Sequence, residues 1–338
     1  MRIRPTADRF SHPGNDFEHL RADLDRLGVR RGSVLVVQAS LRSVAPVSED
    51  PEIVVRALSD VLGPDGTLVV PTFTTLNSTT SRAHKDAVLG MSLSQVESYL
   101  GARPPFDPAT TPSELMGALA ECVRTWPGAV RSVHPHTSFA AVGPQAADLM
   151  AVHELACHLG PQSPVGRLHD LAADSLLLGL DYHQGCTMIH LAEYLVAARR
   201  AARGLPVTRR NYQARMAGFG APGEWILFQD LDLDDGDFSL IGAAYEAAVG
   251  DGPGLRRGMV GSAPSRLVAS RQIIRFAAEW MLSHRSFGEE RASASELAAE
   301  HDRAGRFGQS VHRAVVHGDA GREDDEAARR KGDDQTED

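Results

Sequence analysis

Two short runs hold the residues whose types and spacing could do chemistry. In Thr187-Met-Ile-His190-Leu-Ala-Glu193 a hydroxyl, an imidazole and a carboxylate recur at three-residue steps, which share one face if the run is helical. An imidazole titrates near neutrality, so His190 is suited to take a proton from an amine, with Glu193 orienting it and Thr187 bonding a ligand. The same spacing also describes an ordinary surface pair. In Arg131-Ser-Val-His134-Pro135-His136-Thr-Ser138-Phe139 two imidazoles flank a proline beside a hydroxyl, a pattern that fits either a ligand wall or a turn whose histidines cap backbone groups.

Several chemistries lack their signatures. His134, His136, His190 and Glu193 could be gathered around zinc, but neither His-Glu-x-x-His nor paired cysteines are present, so no metal is expected. Asp230, Asp232, Asp234, Asp235 and Asp237 form an acidic run that suits a polyamine or a solvated face, without the glutamate that completes a calcium loop. No Gly-x-x-x-x-Gly-Lys, no Gly-x-Gly-x-x-Gly after a strand and no Gly-x-Ser-x-Gly elbow occurs.

The elements that must position these runs read as an α/β chain. A helix is expected over 17–27, a strand over 33–37, a helix over 52–62 and a strand over 67–70. In such a fold ligands gather beyond the carboxyl ends of the strands, which makes Gln38 to Ser43 and Pro71 to Thr75 two walls of one site. Residues 75–103 read as a polar excursion with a short helix near Leu93 to Leu100. Thr111-Pro112-Ser113-Glu114 reads as a capping box opening a helix. Further on, a strand is expected over 140–143, helices over 146–158 and 165–172, a strand over 175–180, and a helix from His190 to Arg203. Strands around 225–230 and 258–261 and a last helix over 265–282 complete the domain. The boundaries expected are an irregular arm over 1–15, one domain over 16–286 and a charged, largely disordered tail over 287–338.

Composition sets bounds on partners. With 338 residues, 42% apolar, the chain can bury a large core, yet it has no apolar run long enough for a membrane span. A formal charge of -9 disfavours nucleic acid. The stretch from Gly318 to Asp338, nine acids against four bases, supplies -5 of it. Three widely spaced cysteines and the missing apolar leader point to the cytoplasm, with a monomer or homodimer expected.

Together these pieces resemble the antibiotic N-acetyltransferase family, typified by the aminoglycoside 3-N-acetyltransferases. The resemblance runs from about Leu24 to Met281. It rests on Gln38-Ala-Ser-Leu-Arg-Ser-Val, Gly63-Pro-Asp-Gly-Thr-Leu-Val-Val-Pro-Thr-Phe-Thr, Phe106-Asp-Pro-Ala-Thr-Thr-Pro-Ser-Glu-Leu-Met-Gly, the Arg131 to Gly143 run and Thr187 to Glu193. It implies a single-domain α/β/α arrangement with a mixed central sheet, distinct from the small acetyltransferase fold of most other N-acetyltransferases. It also implies acetyl-coenzyme A, or another acyl-coenzyme A, as donor, and an amine of an aminoglycoside-like antibiotic or biosynthetic intermediate as acceptor.

Under the resemblance His190 is the general base, oriented by Glu193 or an aspartate of the 230 region, and Thr187 or backbone N–H groups stabilise the oxyanion. Coenzyme A is expected along Ser40, Leu41, Arg42, Ser43, Thr72, Phe73, Thr74, Met116, Gly117, Arg131, His134 and Ser138, with Arg42 and Arg131 on its phosphates. The amine is expected near Asp107, Asp230 and Asp232. The alternatives are a carrier-protein or longer acyl donor, and a non-catalytic relative that binds coenzyme A or an amine. The sequence departs from the family at Gln38, where many members carry histidine: glutamine hydrogen-bonds but does not relay a proton. A second departure is Asp181-Tyr-His183-Gln-Gly-Cys186.

Overall fold

The computed structural model describes residues 13–44, 50–218 and 224–286. Most of the expected N-terminal arm and all of the 287–338 tail lie outside them. In chain order the first half comprises α1 (Pro13–Leu27), β1 (Val34–Ala39), α2 (Leu41–Val44), α3 (Pro51–Leu62), β2 (Thr67–Pro71), α4 (Arg82–Ala87), α5 (Leu93–Ala102), α6 (Gly117–Arg124), β3 (Val130–Arg131) and β4 (Phe139–Val142). There follow α7 (Ala146–Met150), α8 (Pro164–Asp170), β5 (Asp174–Leu178), α9 (Tyr182–Gly185), α10 (His190–Ala201), β6 (Arg209–Ala214), β7 (Ile226–Leu231), α11 (Phe238–Val249), β8 (Leu255–Val260), β9 (Ala263–Ala269) and α12 (Ser270–His284). Residues up to Gly90 and Arg103–Arg285 make one compact unit, and Met91–Ala102, which carries α5, belongs to another.

The main unit is built on a mixed seven-stranded sheet in the order β3-β4-β2-β1-β5-β9-β8, and β6 and β7 form a separate antiparallel pair. Only β1, β2 and β5 run parallel. Their side chains alternate between faces. Leu35, Val37, Leu68, Val70, Leu176 and Leu178 join Leu20 and Leu24 of α1, Val55 and Leu58 of α3 and Leu119 and Val123 of α6 in one core. The intervening Val36, Val69 and Leu177 are equally buried, so both faces are covered, as continuous apolar strands require.

Three expected elements differ. The capping box does not start a helix: Glu114 is drawn to Arg103 at 2.5 Å and to the Leu76 N–H at 2.8 Å, the chain reverses at Leu115 (φ 61°), and α6 begins at Gly117. The helix expected over 146–158 stops at Met150, because His153 and His158 beyond it are committed to tertiary hydrogen bonds with Ser132 and Asp230. Ser265 to Val268 pair with both β5 and β8 within strand β9, and the final helix starts only at Ser270.

Candidate active site

The parallel strands deliver three loops to one end of the sheet. β1 runs into Ser40 to Ser43, whose first N–H donates to the Leu178 carbonyl at 2.9 Å. β2 runs into Thr72 to Thr74, and β5 into α9 and a 3-10 turn over Thr187–Ile189. Gly179, at φ 67°, turns the chain where a Cβ would lie 2.5 Å from that of Ser43, so the first and third loops pack as closely as glycine permits.

His190 is the first residue of α10, and its Nδ1 lies 2.7 Å from Glu193 Oε2, one helical turn on. Glu193 is itself buried, and its other oxygen accepts from Arg285 at 2.7 Å and from the Asp234 N–H at 2.9 Å. Arg285 also holds Asp237 through two hydrogen bonds of 2.7 and 2.6 Å. Burial works against its charge, but the two carboxylates outweigh that and hold its pKa above the ordinary arginine range. With donors on Oε1, the Glu193 carboxylate serves as the acceptor for Nδ1–H, which leaves Nε2 as the basic nitrogen. That nitrogen has no partner among the described residues and is not sealed from solvent. The Phe238 ring, 4.7 Å away, fixes the imidazole from the side.

Thr187 donates its backbone N–H to Gln38 Oε1 at 3.0 Å, while its hydroxyl has no partner among the described residues and, like His190 Nε2, is not closed off. Its residue is otherwise buried. The structure therefore brings His190, Glu193, Thr187 and Gln38 together at the carboxyl ends of β1 and β5.

The expected coenzyme A wall divides in two. Arg42 is exposed with no hydrogen-bond partner among the described residues, Ser43 hydrogen-bonds Ser40 at 3.1 Å, and Leu41, Phe73 and Met116 are half-buried. Gly117 has φ 84° and packs near the Ala39 carbonyl. Thr72, Thr74, His134 and Ser138, by contrast, are fully buried and spend their polar atoms on the protein, so they back the wall and do not face a ligand. Thr74 Oγ1 donates to the Pro135 carbonyl, and Ser138 Oγ to the Thr72 carbonyl at 2.8 Å.

Arg131 corrects the sequence expectation most clearly. Its Nε reaches Thr72 Oγ1 and Ser138 Oγ at 3.1 and 3.0 Å, NH2 reaches the Thr72 carbonyl at 2.7 Å, and NH1 reaches the Thr111 carbonyl. The guanidinium lies over Phe106, and burial lowers its pKa to about 10. With its fork turned inward, it clasps β2 to the Phe106–Thr111 connector and has no face left for phosphate. Arg131→Met is expected to destabilise the protein by about 2–4 kcal/mol, since it strands several buried acceptors. A thermal melt beside a coenzyme A titration checks this: the melting point falls while the affinity of folded protein holds.

The three aspartates expected near the amine are also engaged. Asp107 accepts from the Ala109 N–H and the Thr110 hydroxyl in a local turn. Asp232 pairs with Arg210 at 2.7 Å. Asp230 is buried and orients a different histidine: its Oδ2 accepts from the His158 N–H at 2.6 Å, from His158 Nδ1 at 2.7 Å and from the Tyr194 hydroxyl at 2.5 Å. Burial pushes its pKa up, but these hydrogen bonds win and leave it below the ordinary carboxylate range.

His158 belongs to a cluster of four imidazoles whose protons follow from their partners. His134 Nδ1 accepts from two backbone N–H groups at 3.1 Å, so its proton sits on Nε2. His153 Nε2 donates to the His158 carbonyl at 2.9 Å, and its Nδ1 accepts from Ser132. His136 Nε2 donates to the Gln213 carbonyl at 3.2 Å, and its Nδ1 accepts from His158 Nε2 at the same distance. Tyr212 and Phe228 close the cluster from the β6–β7 pair. Asp230→Asn removes one partner of a buried, hydrogen-bonded pair and is expected to cost roughly 3–5 kcal/mol. Urea denaturation of the variant checks the size of that loss.

Sequence reasoning missed His153, His158, Tyr194, Tyr212 and Arg285. The contact of His158 with Asp230 spans 72 residues, and that of Arg285 with Glu193 spans 92. Only the position of Tyr194 next to Glu193 hinted at its place. Among the described residues no group of three histidine, cysteine, aspartate or glutamate side chains is arranged to hold a metal, and no helix is long and apolar enough to cross a membrane.

Comparison with known proteins adds to this geometry. Residues 36–282 match the family model described as aminoglycoside 3-N-acetyltransferase. Aminoglycoside N(3)-acetyltransferase III of Pseudomonas aeruginosa is 34% identical over 286 residues, covering 80% of this chain and 94% of its own. Among solved structures, YokD from Bacillus subtilis superposes with a TM-score of 0.66 at 28% identity, over 79% of this chain and 99% of that one. AAC-VIa bound to sisomicin gives 0.64 at 30% identity, over 80% and 98%.

Proposed function

The chain belongs to the aminoglycoside 3-N-acetyltransferase family and is a coenzyme A-dependent N-acetyltransferase, and from that premise we propose that His190 is the base through which it acetylates an amine of an aminoglycoside-like molecule. The observation that carries this reading is His190 Nε2. Among the described residues it has no protein partner, it is not sealed from solvent, and it lies one 3-10 turn from the Thr187 hydroxyl, which has no partner among them either, where β1 and β5 end.

The reaction is a direct transfer. Nε2 takes a proton from the attacking ammonium, the amine lone pair adds to the thioester carbonyl carbon, and the C–N bond forms as the C–S bond breaks. The thiolate of coenzyme A leaves and is protonated. Glu193, held by Arg285 and the Asp234 N–H, stabilises the imidazolium that forms and keeps Nε2 aimed at the amine. The Thr187 hydroxyl is a donor for the developing oxyanion. The donor lies along Ser40 to Ser43, Phe73, Met116 and Gly117, with Arg42, exposed and without a partner among the described residues, meeting its phosphates. The backing residues Thr72, Thr74, Arg131, His134 and Ser138 fix the shape of that wall without touching the ligand.

The acceptor class is supported by the named activity of the Pseudomonas relative and by sisomicin in the AAC-VIa structure. Incubating the protein with acetyl-coenzyme A, a thiol reagent and a panel of aminoglycosides and simpler amines tests it. Amine-dependent thiol release is expected, together with a rise in melting temperature on adding coenzyme A. Thiol release with none of the amines, whichever short acyl donor is offered, would refute it.

A further inference from the structure

We propose that Gln38, at the position where the sequence departs from the family, is a catalytic residue whose side-chain amide donates a hydrogen bond to the thioester oxygen as it becomes an oxyanion. The inference rests on the acetyl-transfer reading above. Gln38 lies on β1 opposite Leu177 of β5, directly before the Ser40 to Ser43 loop. Its Oε1 accepts the Thr187 N–H at 3.0 Å. A backbone N–H can only donate, so the amide oxygen must face Thr187 and the –NH2 group is turned away from it. That group has no acceptor among the described residues and is not closed off from solvent.

Two donors without a protein partner among the described residues thus share one corner, the Gln38 amide and the Thr187 hydroxyl, and the hydrogen bond between their residues holds that corner together. His190 follows Thr187 by three residues, after a single 3-10 turn. A fixed pair of donors beside a base is what acyl transfer to an amine requires: the base faces the nucleophile and the donors face the oxygen that gains charge. Glutamine suits the donor role in a way that histidine does not, because its –NH2 keeps both hydrogens at every working pH. The substitution therefore moves the residue from a titrating group to a constant one, and catalysis here needs only the one imidazole.

Two variants separate donation from positioning. Gln38→Glu keeps an oxygen for the Thr187 N–H but loses the donor and sets an acceptor against the oxyanion, whereas Gln38→Leu loses both. Both are expected to lower kcat by about 10²-fold or more, with the KM for acetyl-coenzyme A changed little, and Gln38→Glu is expected to keep the wild-type melting temperature. A readout independent of turnover uses the His190→Ala protein loaded with carbonyl-labelled acetyl-coenzyme A. Its thioester stretch in the infrared is expected below that of the free ligand, and the shift is expected to shrink when Gln38→Glu is added, the Thr187 hydroxyl supplying what remains. Wild-type kcat in Gln38→Glu, or an unchanged carbonyl stretch, overturns the donor role while leaving the acetyl-transfer reading intact. Failure of the protein to bind acetyl-coenzyme A at all overturns both.

Discussion

His190→Ala is expected to lower kcat by about 10²- to 10⁴-fold while leaving the KM for acetyl-coenzyme A nearly unchanged. The imidazole makes one hydrogen bond, to Glu193, and leans on Phe238, so its removal leaves the walls along Ser40 to Ser43 and Phe73 as they stand. What is lost is the proton acceptor, and the residual rate reflects the positioned substrates and the remaining donors. A variant with normal kcat and a raised KM would instead make His190 a binding group, since that pattern marks interactions equal in ground and transition states.

The second large effect is on stability. Burial, and the charge of neighbouring imidazoles, hold the pKa of His134 well below the ordinary histidine value, and burial is the main cause that brings those of His136 and His153 to about 3. Unfolded, each would titrate near 6.5. The folded-state values are depressed, so above 6.5 the folded and unfolded chains bind the same number of protons at these sites. Below 6.5 the unfolded chain takes up protons that the folded chain refuses, and stability falls as the pH falls. Each histidine contributes a slope of about 1.4 kcal/mol per pH unit, so the three together approach about 4 kcal/mol per unit at full slope. Asp230, whose pKa is lowered, adds to the loss at lower pH. Urea denaturation at pH 7.5, 6.0 and 5.0 should show a steep decline, and His153→Asn should remove roughly one histidine's share of the slope. A stability that is level between pH 7 and 5 would mean that these imidazoles are charged or reach water in the folded state.

Much of the fold was legible because its strands are written twice, in apolar runs and in the turns that follow them. Val34 to Val37, Thr67 to Val70 and Ser175 to Leu178 carried both marks, and Gly63-Pro-Asp-Gly66 and Gly179 punctuated them. β6 carries neither mark: its Arg209-Arg-Asn-Tyr-Gln-Ala run becomes a strand through pairing with β7, which is not local information. β9 misled for a related reason, since Leu267 and Ile274 fit a helical period although Ala263, Ser265 and Leu267 are buried and alternate with the exposed Pro264 and the half-buried Arg266 between them.

In the site, the His190–Glu193 pair was legible because one helical turn joins the two residues. Asp230 carried a charge that the sequence could see, but its buried partners, His158 and Tyr194, come from other segments, and burial decides whether an aspartate meets a substrate or the protein's own imidazole. Arg131 teaches the same lesson. Its residue type suits phosphate, yet its neighbours supply enough carbonyl and hydroxyl oxygens to occupy the whole fork.

The central claim is that this chain moves an acetyl group from coenzyme A to an amine nitrogen using His190. Mass spectrometry of an aminoglycoside acceptor after incubation with acetyl-coenzyme A carrying a heavy-isotope acetyl group tests it most directly. The account predicts a labelled amide on a single amine of the acceptor with wild-type protein, and on the same timescale almost none with His190→Ala. An acceptor recovered without label, or labelled equally by both proteins, would contradict it.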